Sequence, residues 1–309
     1  MPAGQAQRLC PDAVFLRPRF DVYQAVSSKI RALLLDYSEL VEPLSLDEAY
    51  LDVTASGCCH GSATLIAREI KQRIREHTGL TASAGVSYNK FLAKIASDIN
   101  KPDGLCVIRP DEAESFIAGL PVCRIHGVGR TTEAKMKALG LERCEDLRNC
   151  TLDFLCRHFG KSGEFYFWLA RGVDLRQVIP RRQRKSLGSE ITFQTDLSDK
   201  AVMLAKLMEI ATEVLQALAE KAMVGYTLTL KVRYHDFSLV TRSKTLSSAP
   251  RQASELRYHL AELLDKTQAG RCKVRLLGVS FSSLAPLENA QEARQLDLFD
   301  EEAKTWLTS

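Results

Sequence analysis

Two adjacent carboxylates, Asp47 and Glu48, stand between short apolar β-forming runs in Ser45-Leu46-Asp47-Glu48-Ala49-Tyr50-Leu51-Asp52. Consecutive residues of a regular strand point to opposite faces, so both side chains reach one ion only where the chain bends between them. A hairpin or bulge is therefore predicted here. Like charges this close repel unless a hard cation such as Mg²⁺ bridges them, usually with substrate phosphates completing its shell. The chemistry such a pair supports is metal-assisted phosphoryl transfer. An isolated Asp-Glu pair is more often a solvated acidic turn, so the surrounding sequence decides.

The elements that must hold this turn read as a mixed α/β sheet domain. Asp21 to Tyr37 is predicted helical, with Val22, Val26, Ile30, Leu33 and Leu34 on one stripe; His60 to His77 is a second helix, with Leu65, Ile66, Ile70 and Ile74 inward. The acidic hairpin and Ala82-Ser83-Ala84-Gly85-Val86 supply strands. Residues 110–174 turn mostly helical around Gly127-Val128-Gly129. Gly127 and Gly129 let the backbone approach a phosphate, and the amides of the next helix then face the anion. This reads as a helix-hairpin-helix, with a plain helix cap as the alternative, and Gly160-Lys161-Ser162-Gly163 as a degenerate second turn.

Pro180-Arg181-Arg182-Gln183-Arg184 reads as a basic linker at a domain boundary. Beyond it the pattern is strand 185–193, helix 198–221, strands 224–235 and 238–247, helix 251–266 and strand 271–283, a βαββαβ order of the ferredoxin-like split type. Even positions from Val224 to Tyr234 are apolar; Thr227, Thr229, Lys231, Arg233 and His235 alternate with them. The polar face is expected to lie against a phosphate backbone, joined by Arg242, Lys244, Lys273 and Arg275, with Arg184 and Lys185 at its entry. It carries no aromatic stacking platform, which favours duplex over single-strand contact.

The chain has 309 residues, 45% hydrophobic and 26% charged, enough for two or three globular domains. Its net charge of +4 is unevenly spread: residues 175–283 carry 18 basic and 10 acidic groups, and residues 284–309 carry 2 and 6. A polyanion would be gripped mainly by the middle block, with affinity falling as salt rises. Neither a signal segment nor an apolar run of membrane-spanning length is found, so a cytoplasmic protein is expected. The nine cysteines lack paired CxxC spacing; reduced thiols are expected, and Cys58-Cys59-His60 has no second ligand pair at zinc-site spacing.

Pro43-Leu44-Ser45-Leu46-Asp47-Glu48-Ala49-Tyr50-Leu51-Asp52 resembles the palm motif of Y-family, lesion-bypass DNA polymerases. The resemblance continues in order through the second palm signature, from Tyr88-Asn89-Lys90-Phe91-Leu92-Ala93-Lys94 to Asn100-Lys101-Pro102-Asp103-Gly104. Gly127-Val128-Gly129 follows as the thumb's helix-hairpin-helix loop, and Arg184-Lys185-Ser186-Leu187-Gly188 as the entry to the little finger. The implied architecture is an α+β multidomain one: an incomplete ferredoxin-like palm and fingers in 1–109, a helical thumb in 110–174, a linker in 175–184, a little-finger domain in 185–284 and an acidic tail in 285–309.

The resemblance implies template-directed translesion DNA synthesis on primer-template DNA, with deoxynucleoside triphosphates and two Mg²⁺ ions. Asp47 and Glu48 would be catalytic metal-binding carboxylates, Ser45 would position Asp47, and Lys101 would contact the triphosphate. Gln295, Leu296, Leu298 and Phe299 are similar to the bacterial sliding-clamp binding motif. A monomer is expected. The family's opening strand, with a further metal-binding aspartate and an aromatic steric gate, has no counterpart here. The expectation is severely reduced or absent activity for this chain, and the alternative reading is a catalytically impaired DNA-binding and clamp-binding remnant.

Overall fold

The computed structural model describes residues 3–181 and 183–288. It divides into two compact units, residues 1–182 and 183–309.

The first unit opens with α1 (Ala3–Leu9) and α2 (Phe20–Leu35), followed by the strands β1 (Val41–Pro43) and β2 (Ala49–Leu51). Helix α3 (Ala63–Thr78), strand β3 (Ala84–Val86), helix α4 (Lys90–Ile99) and strand β4 (Leu105–Val107) come next. Among the described residues these strands form two separate pairs, β1 with β2 antiparallel and β3 with β4 parallel. Helix α4 lies so close on β3 that a Cβ at Gly85 would overlap the Ala93 carbonyl.

Two helix expectations need correction. Helix α3 starts at Ala63 rather than His60, because Cys59 and His60 take left-handed φ values of 48° and 56° and Ser62 caps the Leu65 amide. Leu65 is exposed, not inward. In α2 the apolar stripe is only partly used: Leu33 is buried and Ile30 packs beside it against Ile66 and Ile74, whereas Val22 is exposed.

Five helices follow: α5 (Pro110–Ala118), α6 (Arg130–Ala138), α7 (Cys144–Asn149), α8 (Leu152–Phe159) and α9 (Lys161–Leu169). They close, with α4, around a core that includes Phe91, Leu92, Ile117, Ile125, Met136, Leu147, Leu155 and Leu169. Gly163 is required for the approach of α9 to α8, since a Cβ there would overlap the Leu155 carbonyl.

The second unit is a four-stranded antiparallel sheet covered on one face by two helices. Its elements are β5 (Ser186–Leu197), α10 (Lys200–Ala219), β6 (Met223–Tyr234), β7 (Leu239–Thr245), α11 (Arg257–Asp265) and β8 (Val274–Pro286), in the sheet order β5-β8-β6-β7. Each helical crossover therefore straddles one strand. The edges are the first and third strands, which corrects the ferredoxin-like expectation, where the second and fourth strands form the edges. Leu228, Leu230 and Val232 of β6 point into the helix-side core with Met203, Leu207, Ile210, Leu260 and Leu263.

Candidate active site and nucleic-acid interface

The hairpin is built to put its carboxylates at a bend. Strands β1 and β2 pair Val41 with Leu51, Glu42 with Tyr50 and Pro43 with Ala49. The turn closes where the amides of Leu44 and Ser45 donate to the Glu48 carbonyl at 2.9 and 3.4 Å. Asp47 and Glu48 thus sit at the tip, exposed. The Ser45 hydroxyl donates to Asp47 Oδ1 at 2.5 Å, and this bond is the main reason that the Asp47 carboxyl is held below the usual carboxylate range.

Helix α4 supplies a cation that the motifs alone did not single out. Lys94 Nζ lies 3.0 Å from both oxygens of Glu48. Lys94 stands four residues after Lys90, the spacing that places two side chains on one helix face, and that periodicity was the available signal. Lys101, from the loop after α4, pairs with Asp98 at 2.6 Å. Its ammonium is stabilised chiefly by Asp98 and to a smaller degree by Glu48 and Asp47, which places it in the electrostatic neighbourhood of the tip. Two carboxylates, a lysine and a hydroxyl therefore converge from the hairpin and α4.

The donor chemistry at the tip fits a Mg²⁺ ion. Mg²⁺ takes one or two carboxylate oxygens and completes its shell with water and phosphate oxygens. Asp47 offers an exposed, ionised, hard oxygen pair, and the adjacent Glu48 a second. Among the described residues there is no group of three or more His, Cys, Asp or Glu side chains placed to hold a metal.

In the helical region, Gly127 has φ +97°, a conformation natural to glycine, and Gly129 is the N-cap residue of α6. The first helical turn of the predicted motif is a 3₁₀ segment, Val122–Arg124, rather than an α-helix. Gly160 alone joins α8 to α9.

In the second unit, strand register sorts the candidate basic residues. Thr227, Thr229, Lys231 and Arg233 share the face of β6 turned away from the helices, as expected. Opposite them on β7 stand Thr245, Ser243, Thr241 and Leu239. Arg242 and Lys244 instead pair across from the core residues Leu230 and Leu228, so they lie on the helix side, which corrects their expected placement on the polar face. The reason is the two-residue pleat: they share parity with Val240. Lys244 donates to Glu262 at 2.6 Å, Arg242 Nε donates to the Lys266 carbonyl at 2.9 Å, and Lys244 and Lys266 together pull the Glu262 carboxyl down to about 2.

Lys231 is paired with Glu190 at 2.6 Å, and Arg275 stacks over Phe237 with its guanidinium 4.9 Å from the ring centre. Lys273, Arg184 and Lys185 are exposed. The face away from the helices is dominated by hydroxyls, with Thr227 Oγ1 3.1 Å from Thr245 Oγ1 and Thr229 Oγ1 2.8 Å from Ser243 Oγ. Alternating Ser and Thr in 227–229, 241–245 and 280–282 was the signal for this carpet. Gln295, Leu296, Leu298 and Phe299 lie outside the described residues. Among the described residues, no helix is long and apolar enough to cross a membrane.

The model of the impB/mucB/samB family matches residues 1–98, that family's C-terminal domain matches residues 184–298, and a thumb-domain model described as DNA polymerase-iota matches residues 124–174. A DNA polymerase IV from Alkalilimnicola ehrlichii is 57% identical over 300 residues, covering 97% of this chain and 84% of the relative. DNA polymerase IV 2 of Agrobacterium fabrum is 48% identical over 96% of this chain and 84% of its own length. Among solved structures, the "Y-family DNA polymerase chimera Dbh-Dpo4(243-245)-Dbh" superimposes with a TM-score of 0.83 at 28% identity, over 93% of this chain and 83% of that one. The "Insertion ternary complex of Dbh DNA polymerase" gives a TM-score of 0.58 at 27% identity, over 91% and 82%. With its N-terminal, thumb and C-terminal segments each matched in order, the chain belongs to the Y family of DNA polymerases.

Proposed function

We propose that this chain carries out template-directed, translesion DNA synthesis, extending a primer on damaged or undamaged template. The observation that carries the reading is the convergence of Ser45, Asp47, Glu48 and Lys94 at one hairpin tip. Relatives named DNA polymerase IV at 57% and 48% identity support it and favour it over a DNA-binding remnant. A solved neighbour titled an insertion ternary complex supports primer-template DNA and a deoxynucleoside triphosphate as the ligands.

In this reading Asp47 and Glu48 hold Mg²⁺ ions, two in the full site, which neutralise the triphosphate and favour the primer 3′-oxygen as nucleophile when bound. Ser45 keeps Asp47 ionised and oriented. Lys94 holds Glu48 in place, and Lys101, a compact point charge, binds the triphosphate and offsets charge on the departing phosphates. The Gly127–Gly129 loop and the amides at the start of α6 grip a backbone phosphate without regard to sequence.

The hydroxyl-rich face of the second unit, with Arg184, Lys185, Lys231, Arg233, Lys273 and Arg275, contacts duplex phosphates. Small polar side chains there suit close approach to the duplex backbone and make few sequence-specific demands. Gln295, Leu296, Leu298 and Phe299 form a sliding-clamp motif, and the protein works as a cytoplasmic monomer. The reading is tested by single-nucleotide incorporation with Mg²⁺ opposite each templating base and opposite an abasic site. Template-directed incorporation that continues past the lesion is expected; no incorporation on any template overturns it.

A further inference from the structure

We infer that helix α4 is a splint for the catalytic hairpin, and that the buried pair Lys90–Glu42 locks this splint to the chain segment 172–179. The inference rests on the polymerase reading and assigns positioning roles to Glu42, Lys90 and Asp174.

Lys90 and Lys94 lie one turn apart on α4 and grip the hairpin at two points. Lys94 holds Glu48 at the tip, and Lys90 Nζ lies 2.5 Å from Glu42 Oε2 at the base. The side chains of Lys90 and Glu42 are only 7% and 1% exposed. Burying two charges usually costs more than their attraction returns unless further hydrogen bonds satisfy both, so such a pair is better explained by geometry than by stability. The further bonds are present. Lys90 also donates to the Gln177 carbonyl at 3.0 Å, and its ammonium stands 4.8 Å from the centre of the Tyr50 ring, whose residue pairs with Glu42 across the hairpin. Glu42 Oε2 accepts the Ile179 amide at 2.8 Å.

The start of α4 binds the same segment at two more places. Asn89 donates to the Gly172 carbonyl at 2.9 Å, and the Phe91 amide donates to Asp174 Oδ2 at 3.0 Å, with the Asp174 side chain 1% exposed. Residues 175–179, which open the linker expected at 175–184, and Gly172 and Asp174 just before them are thus stitched to the first turn of α4 and to β1 within the first unit. Because this segment leads directly to the second unit, any displacement of it pulls on Glu42 and on the first turn of α4, one turn before Lys94. The consequence is that the geometry of Asp47 and Glu48 depends on residues that touch neither substrate nor metal.

The test uses the full chain and two variants that keep side-chain volume, Glu42→Gln and Asp174→Asn. Single-turnover nucleotide incorporation and amide hydrogen exchange are measured for each. The expected result is a maximal incorporation rate lowered by about tenfold or more, as small misplacements of catalytic groups commonly cause. Primer-template affinity and apparent nucleotide affinity should stay within about twofold of the parent, because binding groups are untouched. Exchange should rise together at Ile179 and at the hairpin amides of Leu44 and Ser45. Asp174→Asn is decisive, since the Asp174 carboxylate bonds to Phe91 and Arg176 and not to the hairpin. Parent-like incorporation by this variant while residues 172–179 exchange faster, or faster exchange that stops short of the hairpin, overturns the inference. If the parent itself does not extend primers, the polymerase reading fails, and joint or separate exchange of the hairpin and residues 172–179 still decides the coupling.

Discussion

Lys94 holds both carboxylate oxygens of Glu48 at 3.0 Å, so the carboxylate proposed to bind a metal is already engaged by a cation from a neighbouring helix. Under the proposed reading, Mg²⁺ binding at this tip would be an exchange in which the ion shares or displaces the ammonium. Glu48 is 45% exposed, so the competing pair is a partly solvated one and its strength is modest.

Lys94→Met should consequently lower the Mg²⁺ concentration needed for half-maximal primer extension while also lowering the maximal rate, because the ammonium both competes for Glu48 and holds it in place. Exposed ion pairs contribute about 0.3–1 kcal/mol, which converts to roughly a two- to fivefold shift. A Mg²⁺ titration of extension by parent and variant reads this directly; an unchanged or raised Mg²⁺ requirement contradicts the competition.

Ser45→Ala should raise the pKa of Asp47 toward its ordinary value of 3.8, because the hydroxyl bond is the leading cause of the depression. The sign follows from linkage: a depressed carboxyl stabilises its ionised form, and that contribution is present at neutral pH and is lost as pH falls through the folded value, below 3.8. Carbon-detected NMR titration of the Asp47 carboxyl measures the change. A midpoint that stays put or falls contradicts the assignment of Ser45.

The charge placement in the second unit predicts an asymmetry in DNA binding. Arg184→Ala/Lys185→Ala should weaken primer-template binding and flatten the dependence of log K on log salt by up to about 2, near 0.9 for each phosphate that is no longer neutralised. Lys244→Ala should leave that slope unchanged, since Lys244 lies on the helix side and is committed to Glu262. Fluorescence anisotropy across a salt series distinguishes the two.

Gly163→Ala should destabilise the helical region by about 1–3 kcal/mol, the usual cost of forcing atoms into a packed interior. The added Cβ meets backbone at Leu155, which cannot rotate away. Chemical denaturation gives the value, and parent-like stability would mean that α8 and α9 separate easily.

The acidic hairpin was legible in the sequence because its signal is local: two adjacent carboxylates between apolar runs require a bend. Lys94 was within reach through its four-residue spacing from Lys90. The Lys90–Glu42 pair was not, since its partners are 48 residues apart and nothing in a sequence marks which buried cation meets which carboxylate. Residues 175–179 looked like the start of a linker for a related reason. Their charges and carbonyls, with those of Gly172 and Asp174 just before them, are polar in sequence, and only the fold shows that Asn89, Lys90, Phe91 and Glu42 satisfy them.

The basic face of the second unit was half legible. Alternation in β6 gave the correct face for Lys231 and Arg233. In β7 the same alternation, with Val240 as the reference, puts Arg242 and Lys244 inward, and charge alone drew them to the wrong side. The ferredoxin-like expectation missed for a different reason: βαββαβ order fixes the elements but not which strand lies between which.

Asp47 and Glu48 are the proposed catalytic pair of this DNA polymerase. The most direct test is Mg²⁺-dependent primer extension by the parent, Asp47→Asn and Glu48→Gln, with primer-template binding measured in parallel. Extension by the parent is expected, with its loss by about a hundredfold or more in each variant and DNA affinity within about twofold in all three. Extension retained in either variant, or absent in the parent while DNA binding persists, would contradict that role.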